Sequence, residues 1–111
     1  MKKQIAVIGG GAAGMMAAIT AAREGAEVII YEHTERLGKK ILSTGNGKCN
    51  LTNYDMLSQY FHSSNPDLVE QCLQNFGVKE CLNFFDSLGL WTKEKNGYIY
   101  SPYCIKHFDP T

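Results

Sequence analysis

The sequence predicts an α/β chain that opens with a βαβ unit and continues into two helices and a β-hairpin. Three observations carry that reading. A short apolar run, Ile5-Ala6-Val7-Ile8, ends at glycines. An alanine-rich stretch with helical character follows it. A second apolar run, Val28-Ile29-Ile30-Tyr31, then arrives within about 30 residues of the first, the length of a strand, a crossover helix and a parallel strand.

Each element has its own justification. The Ile5–Ile8 run is apolar throughout, as expected of a strand covered on both faces of a parallel sheet. The helix is expected from about Gly11 to Glu24, because Ala12, Ala13, Ala17, Ala18, Ala21 and Ala22 form helix readily and let it lie close to a sheet. Gly25 ends it, taking the left-handed conformation of a C-terminal cap. Val28–Tyr31 is the second buried strand, closed by Glu32. From His33 to Asn53 the chain turns polar and glycine-rich, an extended loop with room for one helical turn near Lys39 to Leu42.

Asn65-Pro66-Asp67 then reads as a helix start, with a capping side chain, proline at the first position and an early carboxylate. Leu68, Val69, Cys72, Leu73 and Phe76 recur at helical spacing. Gly77 interrupts, and a second helix carries Leu82, Phe85 and Leu88. These apolar residues are assigned to a core. Residues 90–95 and 98–101 flank Asn96-Gly97, the strongest short hairpin signal. Trp91, Tyr98 and Tyr100 are expected to pack on the helices.

Composition narrows the function. Eleven basic residues balance eleven acidic ones in 111, so no overall field attracts nucleic acid or an anionic membrane. The uncharged run from Gln4 to Ala22 imitates a signal peptide or a membrane helix, but Gly9, Gly10, Gly11 and Gly14 break it. No two of Cys49, Cys72, Cys81 and Cys104 sit two apart, and His33, His62 and His107 are scattered, so no metal site is written here. Free thiols fit a reducing, cytoplasmic setting. One local bias stands out: Arg36, Lys39, Lys40 and Lys48 occur with no carboxylate between them, a stretch suited to an anionic ligand.

Gly9-Gly10-Gly11-Ala12-Ala13-Gly14 matches GxGxxG between a predicted strand and a predicted helix, the context that makes the pattern specific. Gly9 permits the tight turn, Gly11 lets backbone approach a pyrophosphate, and Gly14 allows close packing of helix on strand. The ligand's charge would face unpaired amides at the helix start. Glu32 lies 23 positions after Gly9, where a carboxylate can accept hydrogen bonds from both ribose hydroxyls of an adenosine half and repel a 2′-phosphate. These residues fit FAD or NAD alike. The long glycine- and lysine-rich loop after Glu32 favours FAD, since backbone there can run beside a flavin. Cys49 has no partner cysteine five positions on, where Tyr54 stands, so a disulfide relay cannot form and the thiol is assigned to packing.

VIGGGAAG at residues 7–14, YE at 31–32, RLGKK at 36–40 and above all STGNGKCNLTN at 43–53 resemble the BaiN-type and aminoacetone oxidase-like FAD-dependent oxidoreductases, over about residues 4–100. The resemblance implies a Rossmann-like FAD-binding domain of the glutathione reductase type. It implies that Gly9, Gly11, Ala12, Ala13, Gly14, Glu32 and Lys40 line the pyrophosphate and ribose. Gly45 and Asn50 would then approach the isoalloxazine. A reduced nicotinamide, NAD(P)H, is the implied electron donor of a full-length parent. No catalytic residue is assigned.

Members of that family are several times longer. The chain is therefore expected to comprise a βαβ unit with a cofactor loop (1–53), a helical pair with a hairpin (54–100) and a tail outside the family's pattern (101–111). A frameshift or premature stop near residue 100 would account for that tail, and the expected consequences are weak FAD retention and poor solubility. Two alternatives stand beside the flavoprotein reading: an NAD-binding dehydrogenase domain, and a truncated, non-catalytic remnant that binds nucleotide weakly.

Overall fold

The computed structural model describes residues 1–41 and 49–102. The chain divides into two compact units, Met1–Thr44 and Gly45–Thr111. The tail beyond Pro102 and the loop residues 42–48, Gly45 among them, lie outside the described residues.

The first unit is a βαβ. Strand β1 (Gln4–Ile8) runs parallel to β2 (Glu27–Tyr31), in a register that pairs Gln4 with Glu27 and Ile8 with Tyr31. Between them, helix α1 (Ala12–Arg23) packs on both strands, with Ala18 buried. Its alanines keep that approach short. The helix stops at Gly25, whose φ of +92° is costly for any residue with a Cβ. Strand and helix identities are as the apolar runs predict, but the covering is not. Ile8 is 82% exposed and Ile29 53% exposed, so these strands are not buried on both faces. Helix α1 covers one face of this two-stranded sheet.

The second unit is a three-stranded antiparallel sheet with two helices. Strand β3 (Cys49–Asn53) pairs with β5 (Tyr98–Ser101), and β5 pairs with β4 (Lys93–Lys95). Helix α2 (Pro66–Asn75) starts as its sequence predicts, with Asn65 Oδ1 accepting the Leu68 amide at 3.2 Å. At the start of helix α3 (Val78–Ser87), Glu80 reaches back to accept the Gly77 amide at 3.0 Å. The β4–β5 turn has Asn96 at φ +53° and Gly97 at φ +84°, the paired left-handed conformation of a type I′ hairpin. Ile99, 2% exposed, and Ser101, fully buried, form the centre of this unit.

Three expectations are corrected here. Residues 49–53 are a strand and not loop, because their backbone finds a partner in β5 almost fifty residues away, which local composition cannot show. The first arm of the hairpin is confined to Lys93–Lys95. Leu68, Phe76 and Leu88 are exposed and not core, as are Trp91 and Tyr98, which do not bury themselves on the helices. Val69, Leu73, Leu82 and Phe85 are half-buried. Among the described residues, no helix is long and apolar enough to cross a membrane.

Candidate functional site

The turn from β1 into α1 is built almost entirely of glycine, and at Gly9 and Gly14 the geometry demands it. Gly9 adopts φ +96° and donates its amide to Tyr31 O at 2.8 Å, tying the turn to the end of β2. A Cβ on Gly14 would collide with the Gly9 carbonyl oxygen and lie 3.4 Å from Val7 Cγ1, so only glycine lets the helix come this close to the strand. A Cβ on Gly11 would meet nothing within 4 Å. That residue is the N-cap of α1, and it leaves a backbone cradle open where a ligand can approach. The cap has no side-chain hydrogen bond and the first turn carries no acidic residue. Amide groups and the positive end of the helix dipole therefore face outward from a surface of bare backbone.

Glu32 follows the last residue of β2 and turns its carboxylate to this mouth. Its Oε1 accepts the Gly10 amide at 2.9 Å. Its Oε2 accepts the Thr34 amide at 2.7 Å and the Thr34 hydroxyl at 2.6 Å. The side chain is only 16% exposed, and His33 Nδ1 stands 3.4 Å from Oε2. The Thr34 hydroxyl, the Gly10 amide and the Thr34 amide, in that order, hold its pKa down at about 2 against partial desolvation, which pushes it up. An acid so placed is ionised throughout the neutral range.

The loop after β2 closes the other side. Gly38, at φ +68°, donates its amide to Gly10 O at 2.8 Å. Leu37 packs so closely that a Cβ on Gly10 would collide with its Cδ2. The result is a cavity of about 710 Å³ lined by Gly10, Gly11, Glu32, His33, Thr34, Arg36, Lys39 and Lys40. One carboxylate sits at the strand tip and three cations stand on the loop, so the cavity suits a ligand with a hydroxylated part and an anionic part. No group of three or more His, Cys, Asp or Glu capable of holding a metal occurs among the described residues.

The sequence-predicted residues distribute as follows. Gly9, Gly11, Ala12, Ala13 and Gly14 share the turn and the first helical turn, and Glu32 and Lys40 face the cavity beside it. Asn50 lies in β3 of the second unit, exposed and paired in register with Tyr100. Gly45 lies outside the described residues. Sequence reasoning missed four participants: Gly10, His33, Thr34 and Gly38. The two glycines were legible as glycines but not as contacts. Thr34, two residues after a strand-ending acid, carried only the weak signal of a hydroxyl able to bond locally.

Several known proteins match this chain. The chain is 52% identical over 99 residues to a 3-dehydro-bile acid delta(4,6)-reductase of Clostridium scindens, covering 87% of this chain and 24% of the relative. It is 32% identical over 89 residues to a ribosomal RNA dihydrouridine synthase of Haemophilus influenzae, covering 80% of this chain and 22% of that protein. A flavin-containing monooxygenase of Arabidopsis thaliana is 36% identical over 84 residues, which is 76% of this chain and 17% of the plant protein. The chain thus spans about a quarter or less of the curated relatives it matches. The description "HI0933-like protein Rossmann domain" fits residues 3–103, nearly the whole length, and the chain belongs to that family.

Proposed function

We propose that this chain is the cofactor-holding segment of a flavin-dependent oxidoreductase, and that the cofactor is FAD gripped by its ADP half. The observation that carries the reading is the Glu32 carboxylate fixed 2.9 Å from the Gly10 amide, beside the open cradle at Gly11. In this reading the amides at the start of α1 face the diphosphate. Arg36, Lys39 and Lys40 add positive field, and Glu32 accepts hydrogen bonds from the ribose. The negative charge of Glu32 disfavours a ribose 2′-phosphate. When bound, the flavin supplies the redox chemistry, and the protein contributes position and electrostatics.

The relatives' names support a shared cofactor more than a shared substrate. A bile acid and a ribosomal RNA have little in common, yet the two proteins match this same segment. A segment common to enzymes with unlike substrates is best explained by what both must bind. The electron donor is proposed to be a reduced nicotinamide, the acceptor an unsaturated or carbonyl compound, and the setting cytoplasmic.

Titration of the purified chain with FAD, followed by flavin fluorescence, tests this. FAD is expected to bind, ADP to displace it, and FMN, which lacks the adenosine half, to compete poorly. Competition by FMN as strong as by ADP would overturn the assignment of the site. Tighter binding of NADH than of FAD would favour the dehydrogenase reading.

A further inference from the structure

Three donors converge on the Glu32 carboxylate: the Gly10 amide on Oε1, and the amide and hydroxyl of Thr34 on Oε2. A carboxylate offers about four lone-pair directions. Oε2 is therefore filled, and Oε1 keeps one direction open. The ribose diol of an adenosine nucleotide brings two O–H donors, one more than the acid can receive as it stands. Some donor has to leave.

Two of the three cannot. The Gly10 amide belongs to a turn whose carbonyl is held by Gly38, and the Thr34 amide is fixed by the chain that follows β2. The Thr34 hydroxyl differs. It has one proton and two acceptors within reach, Glu32 Oε2 at 2.6 Å and the Arg36 carbonyl oxygen at 3.0 Å. Rotation about the Cβ–Oγ1 bond transfers its hydrogen bond from one to the other, with no covalent bond broken.

We propose that Thr34 is a positioning and specificity-determining residue, whose hydroxyl braces Glu32 in the free site and turns to the Arg36 carbonyl when a ribose diol takes its place. The inference rests on the reading of this cavity as an adenosine diphosphate site. After the rotation an Oγ1 lone pair faces the carboxylate, so the short Thr34–Glu32 contact widens. A ligand that lacks one ribose hydroxyl requires no rotation, because Thr34 keeps the vacant position filled. The hydroxyl thereby softens the penalty for a missing ligand hydroxyl.

The test compares ADP with 2′-deoxy-ADP on the whole chain, with dissociation constants read from amide shifts in NMR titrations. In the wild type the deoxy compound is expected to bind no more than about threefold more weakly, the vacated bond being refilled. In Thr34→Val, which keeps the shape and removes the hydroxyl, the penalty is expected to reach about tenfold or more. Thr34→Ser is expected to restore the wild-type ratio. Equal penalties in wild type and Thr34→Val would overturn the exchange and leave the site assignment standing, whereas a wild-type chain that binds no ADP would overturn both. Should Thr34→Val fail to fold, a crystal structure of the wild-type chain with ADP decides. Oγ1 is expected nearer to Arg36 O than to Glu32 Oε2, and an unchanged Glu32 contact contradicts the proposal.

Discussion

At the scale of single residues, the turn and its acid lend themselves to sharp tests. Gly14→Ala places a methyl group against the Gly9 carbonyl oxygen, which is backbone and cannot swing aside. The substitution is expected to destabilise the chain by about 1–3 kcal/mol, read from urea unfolding, because helix and strand have to separate. Gly11→Ala should do the reverse: its Cβ enters open space, so stability changes little while FAD or ADP binding drops, since that space is where the diphosphate is proposed to lie. Glu32 sets a pH dependence. Its pKa is about 2 in the fold against the ordinary 4.5, so ionisation favours the folded state. The contribution is complete above 4.5 and is lost as pH falls from 4.5 towards 2. Thermal unfolding across that window should show a steeper fall for the wild type than for Glu32→Gln. The tight turn at Gly9 and the close helix–strand approach at Gly14 were legible because each answers a local steric question that one motif poses. The role of Thr34 was not, because it depends on which way one carboxylate points.

At the scale of elements, legibility followed the range of the interaction. Helix α2 was readable from Asn65-Pro66-Asp67, since a cap acts three residues along the chain. The β4–β5 turn was readable from Asn96-Gly97, and both residues take the positive φ that this pair favours. Strand β3 was hidden, because its pairing with β5 is distant in sequence and its residues, Cys49-Asn50-Leu51-Thr52-Asn53, show no simple alternation. A bulge between Asn50 and Thr52 blurs even the period that a strand should display. Asn65→Ala is expected to cost about 1 kcal/mol of stability, measured by denaturant midpoint, through loss of the bond to the Leu68 amide. Gly97→Val should be more harmful, since it combines a positive φ with a Cβ 2.8 Å from Asn53 Oδ1, and loss of the hairpin's amide protection in hydrogen exchange would report it.

At the scale of the whole chain, the exposed apolar residues set behaviour in solution. Ile8, Ile29 and Tyr31 on the first unit, and Leu88, Trp91 and Tyr98 on the second, leave large hydrophobic side chains in contact with water. Patches of that kind promote association. The chain is expected to bind a hydrophobic dye such as ANS and to show concentration-dependent sedimentation; a dye-silent monomer at high concentration would contradict this. The sequence foretold apolar strands with both faces apolar, and it was right about the chemistry of those faces. What it could not convey was how much would lie against them, because burial belongs to neighbours and not to a strand's own residues.

The bond between Tyr31 O and the Gly9 amide has a wider consequence. It locks the two strand tips at one setting, with Ile8 opposite Tyr31, and only that setting brings Glu32 within reach of Gly10. A slip of one residue would present Tyr31 or His33 at that position and take the carboxylate away from the proposed site. A nucleotide bound as proposed would therefore act as a proofreader of strand alignment: by mass action it would favour the one pairing that can hold it and withdraw population from misaligned chains.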